Sequence, residues 1–158
     1  MKKLLFATQL ILIGLLLTAC TGADASSDHS ADANSSDVQA LRIPLTELTQ
    51  NVAFFDYDSD GIAMQVIART QDDGTPRLAY NTCQVCAGSP YAYFEEQNGL
   101  LVCQNCGNMF RPDVVGMEGY GCMPIALTAY TVTDDYVDIA YETLDAMRDK
   151  FVNWKAGL

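Results

Sequence analysis

Residues 81–110, NTCQVCAGSPYAYFEEQNGLLVCQNCGNMF, carry four of the six cysteines of the chain as two Cys-x-x-Cys pairs. Cys83 and Cys86 form the first pair, and Cys103 and Cys106 form the second after sixteen intervening residues. This spacing is typical of a four-thiolate metal site. Two cysteines three residues apart can wrap one tight turn, a knuckle, so that both sulfurs face one point. Two facing knuckles therefore predict a tetrahedral four-sulfur site.

The first 19 residues have the pattern of a lipoprotein signal peptide. Lys2 and Lys3 supply positive charge, an apolar run extends to Leu17, and small residues precede Cys20. The run is shorter than the roughly 20 residues that a membrane-spanning helix needs. The pattern resembles the bacterial lipobox, which implies that Cys20 becomes the diacylated N-terminus. We therefore expect a lipid anchor in the cell membrane, with the protein on the extracytoplasmic face.

Residues 20–40 are predicted to be the lipidated cysteine and a disordered tether. They are mostly Ala, Ser, Asp and Asn, so they bury too little apolar surface to offset the entropy cost of ordering. The folded domain is therefore expected at 41–158, held at the lipid bilayer through Cys20. A domain of this size is small enough for a metal or a disulfide to add noticeably to its stability.

The chain is strongly acidic, with a formal net charge of −11 at pH 7. Without Lys2 and Lys3 it keeps 7 basic and 20 acidic residues, a net charge of −13. Nucleic acid and anionic lipid are therefore poor partners.

Short strands and one terminal helix predict an α+β fold, a small, mostly antiparallel β domain with two Cys-x-x-Cys knuckles and a C-terminal helix. The predicted strands are 51–57, 62–69, 77–81, 91–94, 100–102, 126–133 and 136–140. A helix is predicted over 142–155, because four apolar residues recur there at helical spacing. They are Leu144, Met147, Phe151 and Trp154.

Residues 56–61, DYDSDG, match the first half of a calcium-binding loop. The twelfth position of that loop should be a bidentate Glu, and here it is Ile67. Asp and Gly are also the residues that a hairpin turn requires, so the stretch favours a turn between two strands.

Histidine is absent from the predicted domain, since His29 lies in the tether. This excludes a His-rich catalytic zinc site and a Ser-His or Cys-His nucleophile pair. Thiolate ligands suit zinc, iron, iron–sulfur clusters or copper(I). We do not predict a hydrolytic enzyme, because the domain holds no constellation for that chemistry.

Disulfides are the main alternative to metal, because exported proteins fold where disulfides form and four cysteines are an even set. Cys122 makes the count odd. It follows Gly119-Tyr120-Gly121, and this Gly-rich approach favours a loop brought close to the site. Cys122 is therefore a less certain fifth candidate, as a ligand, a redox-active thiol or a small buried apolar side chain.

The chain resembles the FtrD-like membrane iron-sulfur-containing domain, a domain of unknown function. The resemblance rests on Arg77 to Cys86, Val102 to Phe110 and Gly121 to Leu127, and the order of five cysteines is specific. It implies metal or iron–sulfur binding at Cys83, Cys86, Cys103 and Cys106, with Cys122 as a further candidate. It also implies partners among ferrous-iron uptake systems and neighbouring membrane permeases. Tyr120 and Met123 depart from the family pattern around Cys122.

Three functional hypotheses remain open. The first is a membrane-anchored electron carrier or metal handler with an iron or iron–sulfur centre, serving a metal transport system. The second is a binding module stapled by a structural zinc in a closed four-cysteine site. The third is a dithiol oxidoreductase, for which a helix start after a cysteine pair is expected; the sequence after Cys106 runs toward Arg111-Pro112 instead.

Overall fold

Residues 39–158 are the part of the chain that the computed structural model describes. The predicted signal peptide, the lipidation site Cys20 and the predicted tether up to residue 38 lie outside the described residues.

The described residues form three antiparallel sheets. The strands are β1 (Ala40–Pro44), β2 (Ala53–Ser59), β3 (Ile62–Thr70), β4 (Pro76–Cys83), β5 (Phe94–Gln97), β6 (Leu100–Cys103), β7 (Met109–Phe110), β8 (Pro124–Leu127), β9 (Thr131–Val132) and β10 (Tyr136–Ala140). The central sheet has the order β2-β3-β4-β8, and it is accompanied by sheets of order β1-β10-β9 and β5-β6-β7. With one short helix near the C-terminus, this confirms the predicted α+β class.

The hairpin of β2 and β3 confirms the turn between two strands that the stretch 56–61 predicted. Ser59 pairs with Ile62, so the connection is Asp60-Gly61. Both residues have positive φ, 49° and 85°, as a two-residue hairpin turn of the primed type requires. The Asp58 carboxylate accepts a hydrogen bond from the Gly61 N–H at 2.8 Å, so it stabilises the turn.

The two faces of the central sheet bury different cores. Leu78 and Tyr80 of β4 point to the larger core, which includes Ile139, Phe151 and Trp154. Ala79 and Cys83 of the same strand contribute to a second core that contains two of the predicted ligands, Cys83 and Cys103. This two-sided burial explains why β4 is buried at every position except Arg77. The β4 strand thus carries the chain from the main core directly into the cysteine-rich end.

Two strand predictions were wrong in their bounds. The strand predicted at 91–94 begins only at Phe94 and continues through the acidic residues to Gln97. The turn is Asn98-Gly99, whose positive φ values favour these two residue types. Strand β5 is exposed beyond Phe94, which is why its sequence lacks the apolar alternation of a buried strand.

The strand predicted at 126–133 was also wrong in its bounds, because it is divided between two sheets and only its last part pairs with the strand predicted at 136–140. Strand β8 (Pro124–Leu127) pairs with β4, whereas β9 (Thr131–Val132) pairs with β10. The three residues 128–130 carry the chain from one sheet to the other. The consequence for the site is that Cys122 lies just before a strand of the central sheet.

The predicted helix over 142–155 is much shorter in the structure. Helix α1 spans Tyr141–Asp145, and a single 3₁₀ turn follows at Arg148–Lys150. Beyond Asp145 the backbone makes successive i to i−3 hydrogen bonds, including Met147 to Leu144 and Trp154 to Phe151. Such turns place residues three apart on one side, so they also satisfy the apolar spacing that suggested a long helix. Leu144, Phe151 and Trp154 are buried in the main core, as predicted.

Candidate metal centre

The first knuckle begins where β4 ends. The N–H of Ala87 donates to the Cys83 carbonyl at 2.9 Å, which closes a tight turn around the pair. Within that turn the N–H of Cys86 donates to the Cys83 sulfur at 3.3 Å. Cys83 is buried and Cys86 is half-buried. Backbone N–H groups aimed at sulfur favour thiolate, the form that binds metal.

The second knuckle repeats this turn at the end of β6. The N–H of Gly107 donates to the Cys103 carbonyl at 2.8 Å, four residues along the chain as in the first knuckle. Gly107 has a φ of +73°, a conformation that glycine adopts without strain, so it allows the backbone to close this turn. Cys103 is buried and Cys106 is exposed. The second knuckle is therefore the one that opens to solvent.

A third segment brings Cys122 between the two knuckles. Gly121 has a φ of +94°, which turns the loop inward immediately before the cysteine. The Met123 carbonyl accepts a hydrogen bond from the Gln84 N–H at 2.9 Å, and Pro124 is the strand partner of Cys83. The two residues that follow Cys122 are thus both attached to the first knuckle. The Gly-rich sequence predicted this approach to the site.

Cys122 contacts the sulfurs of both knuckles. Its Sγ lies 3.0 Å from that of Cys83, 3.9 Å from that of Cys86 and 2.8 Å from that of Cys106. The sulfurs of Cys83, Cys86, Cys103 and Cys122 all lie within 4.8 Å of one another. Cys106 is outside this mutually close set. The structure thus brings all five predicted candidates into one cluster. The four mutually close sulfurs, called the compact foursome below, include that of Cys122 in place of that of Cys106.

These four sulfurs fit a metal ion. A tetrahedral ion with sulfur ligands at about 2.3 Å places its sulfurs roughly 3.8 Å apart, close to the spacing found here. The donor set contains sulfur alone, which suits iron and zinc equally. The five-cysteine cluster is therefore a site able to bind a metal ion or an iron–sulfur cluster, and zinc is compatible with it.

Burial and hydrogen bonding shift the pKa values of four thiols of the cluster. Burial raises the pKa of Cys86 to about 12, and it also raises the pKa values of Cys103 and Cys122. A hydrogen bond from the Cys122 thiol, helped by the backbone N–H of Asn108, lowers the pKa of Cys106 to about 7. Burial disfavours the thiolate at Cys86, Cys103 and Cys122, so metal binding at these residues displaces protons.

A short segment between the knuckles holds both of them. The Ala92 carbonyl accepts the N–H of Cys83 at 3.1 Å, and the next carbonyl, that of Tyr93, accepts the N–H of Gln104 at 2.9 Å. Phe94 then pairs with Cys103 across β5 and β6. Three consecutive residues therefore fix the distance between the two cysteine pairs.

Two polar side chains that the sequence did not single out support this arrangement. Asn81 is fully buried and binds the backbone of Phe94. The Ser89 hydroxyl of the first knuckle donates to the Asn105 side-chain carbonyl of the second at 2.7 Å. The only available signal for Asn81 was a polar residue at the end of the apolar run Leu78–Tyr80, two positions before a cysteine.

The sequence segments that carry the cysteines contain no charged residue. The cysteines lie on the uncharged segments 78–94, 97–110 and 119–133, although the chain as a whole is acidic. Three large apolar side chains near the cysteines in sequence are exposed: Val85 by 68%, Met109 by 65% and Tyr120 by 97%. The cysteine segments thus present neutral, partly apolar surface.

A protein-family comparison covers the whole cluster. The family model described as membrane iron-sulfur containing protein FtrD-like matches residues 48–151, which include all five cysteines of the site. Neither a curated protein nor a solved structure matches the chain. Among residues 39–158, no helix is long and apolar enough to cross a membrane.

Proposed function

Because this chain belongs to the FtrD-like family of membrane iron-sulfur containing proteins, we propose that it is a membrane-anchored, extracytoplasmic metal or iron–sulfur protein. Its proposed role is to carry electrons or handle metal for a membrane transport system, with ferrous iron as the transported species. The observation that carries this proposal is the sulfur cluster, in which Cys122 contacts Cys83, Cys86 and Cys106.

The exposure of the cluster supports a working site over a purely structural one. Cys106 is exposed, and the segment 97–110 on which it lies contains no charged residue. The main core, which contains Ile139, Phe151 and Trp154, includes none of the five cysteines. Most of the apolar burial therefore does not depend on metal. A redox or metal-handling centre needs such access, whereas a structural staple does not.

The chain's own residues would hold the centre and tune its potential. The cysteine sulfurs would stay fixed, and the Cys86 N–H directed at the Cys83 sulfur would favour the more negative state of the centre. An iron centre bound there supplies a reversible one-electron change. Outer-sphere transfer to a partner then requires only close approach at the exposed end of the cluster.

The membrane anchor completes the proposal. Lipidation at Cys20 and a flexible tether would hold the domain at the bilayer surface, where a membrane permease could reach it. The acidic charge of the chain makes the anchor, and not attraction to anionic lipid, the source of membrane binding.

Structural zinc is the second candidate, because the four close sulfurs have a spacing that suits a single tetrahedral ion. A dithiol oxidoreductase is disfavoured by the local structure. The second pair is followed by strand β7 (Met109–Phe110), so in the described residues no helix begins there to stabilise a thiolate.

Redox titration of the full-length chain tests the proposed function. We expect protein purified in detergent without oxygen to show a visible absorption band that dithionite bleaches and a mild oxidant restores. Loss of the band in Cys83→Ser and its retention in Met109→Ser would assign it to the cluster. A colourless zinc protein with no redox response would contradict the electron-transfer role and favour the zinc module.

Cell fractionation tests the anchor separately. Wild-type protein expressed in a bacterium is expected in the membrane fraction with incorporated palmitate, and Cys20→Ala is expected to lose both. A Cys20→Ala variant that still carries palmitate would show that the anchor is elsewhere.

A further inference from the structure

A tetrahedral ion needs four sulfurs, and the cluster holds five. The compact foursome consists of Cys83, Cys86, Cys103 and Cys122, of which none is exposed. The fifth, Cys106, is exposed and contacts Cys122 at 2.8 Å between the sulfurs. Sequence spacing alone assigns Cys106 to the foursome and leaves Cys122 as the extra thiol, so the structure reverses their positions.

The reversal follows from how the two loops are held. The two residues that follow Cys122 are held at the first knuckle, Met123 by a hydrogen bond from the Gln84 N–H and Pro124 by its pairing with Cys83. Cys106 ends the outward turn of its knuckle, and the residues that follow it, Gly107 and Asn108, are exposed. The Cys122 sulfur is therefore held close to the central sheet, whereas the Cys106 sulfur borders solvent.

We propose that Cys83, Cys86, Cys103 and Cys122 are the resident ligands and that Cys106 is an exchangeable sulfur through which a hydrated metal ion enters and leaves the site. This inference rests on the proposed function, since it concerns the same centre. It assigns to the fifth cysteine a role in metal transfer that a closed four-sulfur site does not need.

The exchange is a ligand substitution with no change in oxidation state. Cys106 binds the arriving ion as thiolate and gives its proton to water, while the ion loses a water ligand. Cys83, Cys86 and Cys103 bind next, and each sulfur that binds releases its proton to water and displaces water from the ion. The Cys122 thiol then loses its proton and forms the last metal–sulfur bond, and the bond to Cys106 breaks. Cys106 takes up a proton in turn, so one proton passes outward across the 2.8 Å contact of the two sulfurs.

Alkylation of the metal-loaded, full-length protein is the first test. Protein loaded with Zn²⁺ without oxygen is treated with iodoacetamide and digested, and the modified cysteines are located by mass spectrometry. Within the domain we expect modification at Cys106 and protection of the four resident ligands. Protection of Cys106 together with modification of Cys122 would overturn the inference.

Cysteine variants provide the second test. Cys106→Ser should keep the Zn²⁺ content of the wild type but take up Zn²⁺ at least about tenfold more slowly, because one sulfur is missing from the path. Met109→Ser is the matched control, since Met109 is exposed three residues after Cys106 and also carries sulfur. Cys122→Ser should lose the stoichiometric ion.

The outcomes separate this inference from the proposed function. If Cys106→Ser loses the ion while Cys122→Ser retains it, the two knuckles hold the metal and the inference is wrong, although a metal-binding role stands. If Cys106→Ser keeps both the content and the loading rate of the wild type, the exchange role is wrong. If wild-type protein binds no metal, the proposed function fails and the inference fails with it.

Discussion

The side chain of Asn81 binds both backbone groups of Phe94. Its Oδ1 accepts the Phe94 N–H at 2.7 Å, and its Nδ2 donates to the Phe94 carbonyl at 3.1 Å. Asn81 lies two residues before Cys83, and Phe94 pairs with Cys103. This single side chain therefore ties the strand that carries the first knuckle to the sheet that carries the second.

Replacing Asn81 by Ala should destabilise the protein strongly. The substitution leaves buried backbone groups of Phe94 without partners, a cost on the order of 3 kcal/mol in the free energy of unfolding. Denaturation by urea at pH 7 measures it. Asn51→Ala, at an exposed position, is the control and should change stability by no more than about 0.5 kcal/mol. Equal stability of the two variants would show that the Asn81 contacts do not hold the sheets together.

Thr82 is expected to behave in the opposite way. Its side chain is fully buried, and the Oγ1 atom makes no hydrogen bond in the described part of the protein. Thr82→Val keeps the shape and removes the unsatisfied hydroxyl, so stability should be unchanged or higher by up to about 1 kcal/mol. The same urea experiment provides the measurement. A loss of more than about 1 kcal/mol would mean that the hydroxyl has a stabilising partner.

Gly116 is predicted to be required where the chain approaches β4. It has a φ of +74°, and a Cβ built there would lie 3.1 Å from the Leu78 carbonyl oxygen. Gly116→Ala should therefore cost both backbone strain and a clash with backbone that cannot yield. Gly74→Ala is the matched control, because its φ is +83° and the space around it is open.

Thermal unfolding distinguishes the two glycine variants. Both should lose about 1 kcal/mol to positive φ, and Gly116→Ala should lose a further 1–2 kcal/mol or so to crowding. The second loss should be accompanied by weaker metal binding, since the segment leads into the Cys122 loop. If both variants unfold at the same temperature, crowding against β4 does not contribute to the free energy of unfolding.

Asp145 links helix α1 to β2 through hydrogen bonds from Ser59 and Tyr57. These hydrogen bonds, with that of Ser59 the larger cause, hold the pKa of Asp145 below its ordinary value. A carboxyl group whose pKa is lower in the folded state stabilises the protein above its unfolded pKa, about 3.9. That stabilisation is lost as the pH falls through the folded pKa.

Asp145→Asn should consequently lower the melting temperature at pH 7, with the difference from wild type shrinking below about pH 4. Asp149→Asn, at an exposed position on the same terminal segment, is the control. A difference between wild type and Asp145→Asn that stays constant from pH 7 to pH 3 would contradict the hydrogen-bonded carboxylate.

Local patterns predicted those parts of the fold that local chemistry determines. The Asp60-Gly61 turn has its own backbone requirement, and the cysteine spacing follows from the geometry of one tight turn, so both were readable in the sequence. The apolar residues Leu144, Phe151 and Trp154 near the C-terminus are buried as predicted. Their spacing, however, did not distinguish a helix from successive 3₁₀ turns. Trp154 Nε1 donates to the Asn81 carbonyl at 2.7 Å, a tertiary contact that helps to set the path of the last residues.

Which cysteines are buried in the site and which is exposed could not be predicted from the sequence in the same way. Spacing treats Cys103 and Cys106 as equivalent, but only the fold buries the first and exposes the second. The position of Cys122 depends on the pairing of β8 with β4, which joins residues about forty positions apart. Long-range strand pairing has no local signature, so the inner place of Cys122 emerges only from the structure.

The central claim, that this cluster holds metal, is tested most directly by elemental analysis. Full-length wild-type protein and Cys103→Ser are purified in detergent without oxygen, and iron, zinc, acid-labile sulfide and free thiols are measured on the same samples. We predict stoichiometric metal in the wild type, iron with sulfide if the centre is a cluster, and its loss in Cys103→Ser. Wild-type protein that lacks metal and also lacks free thiols at the four knuckle cysteines would contradict the claim and show that the cysteines form disulfides.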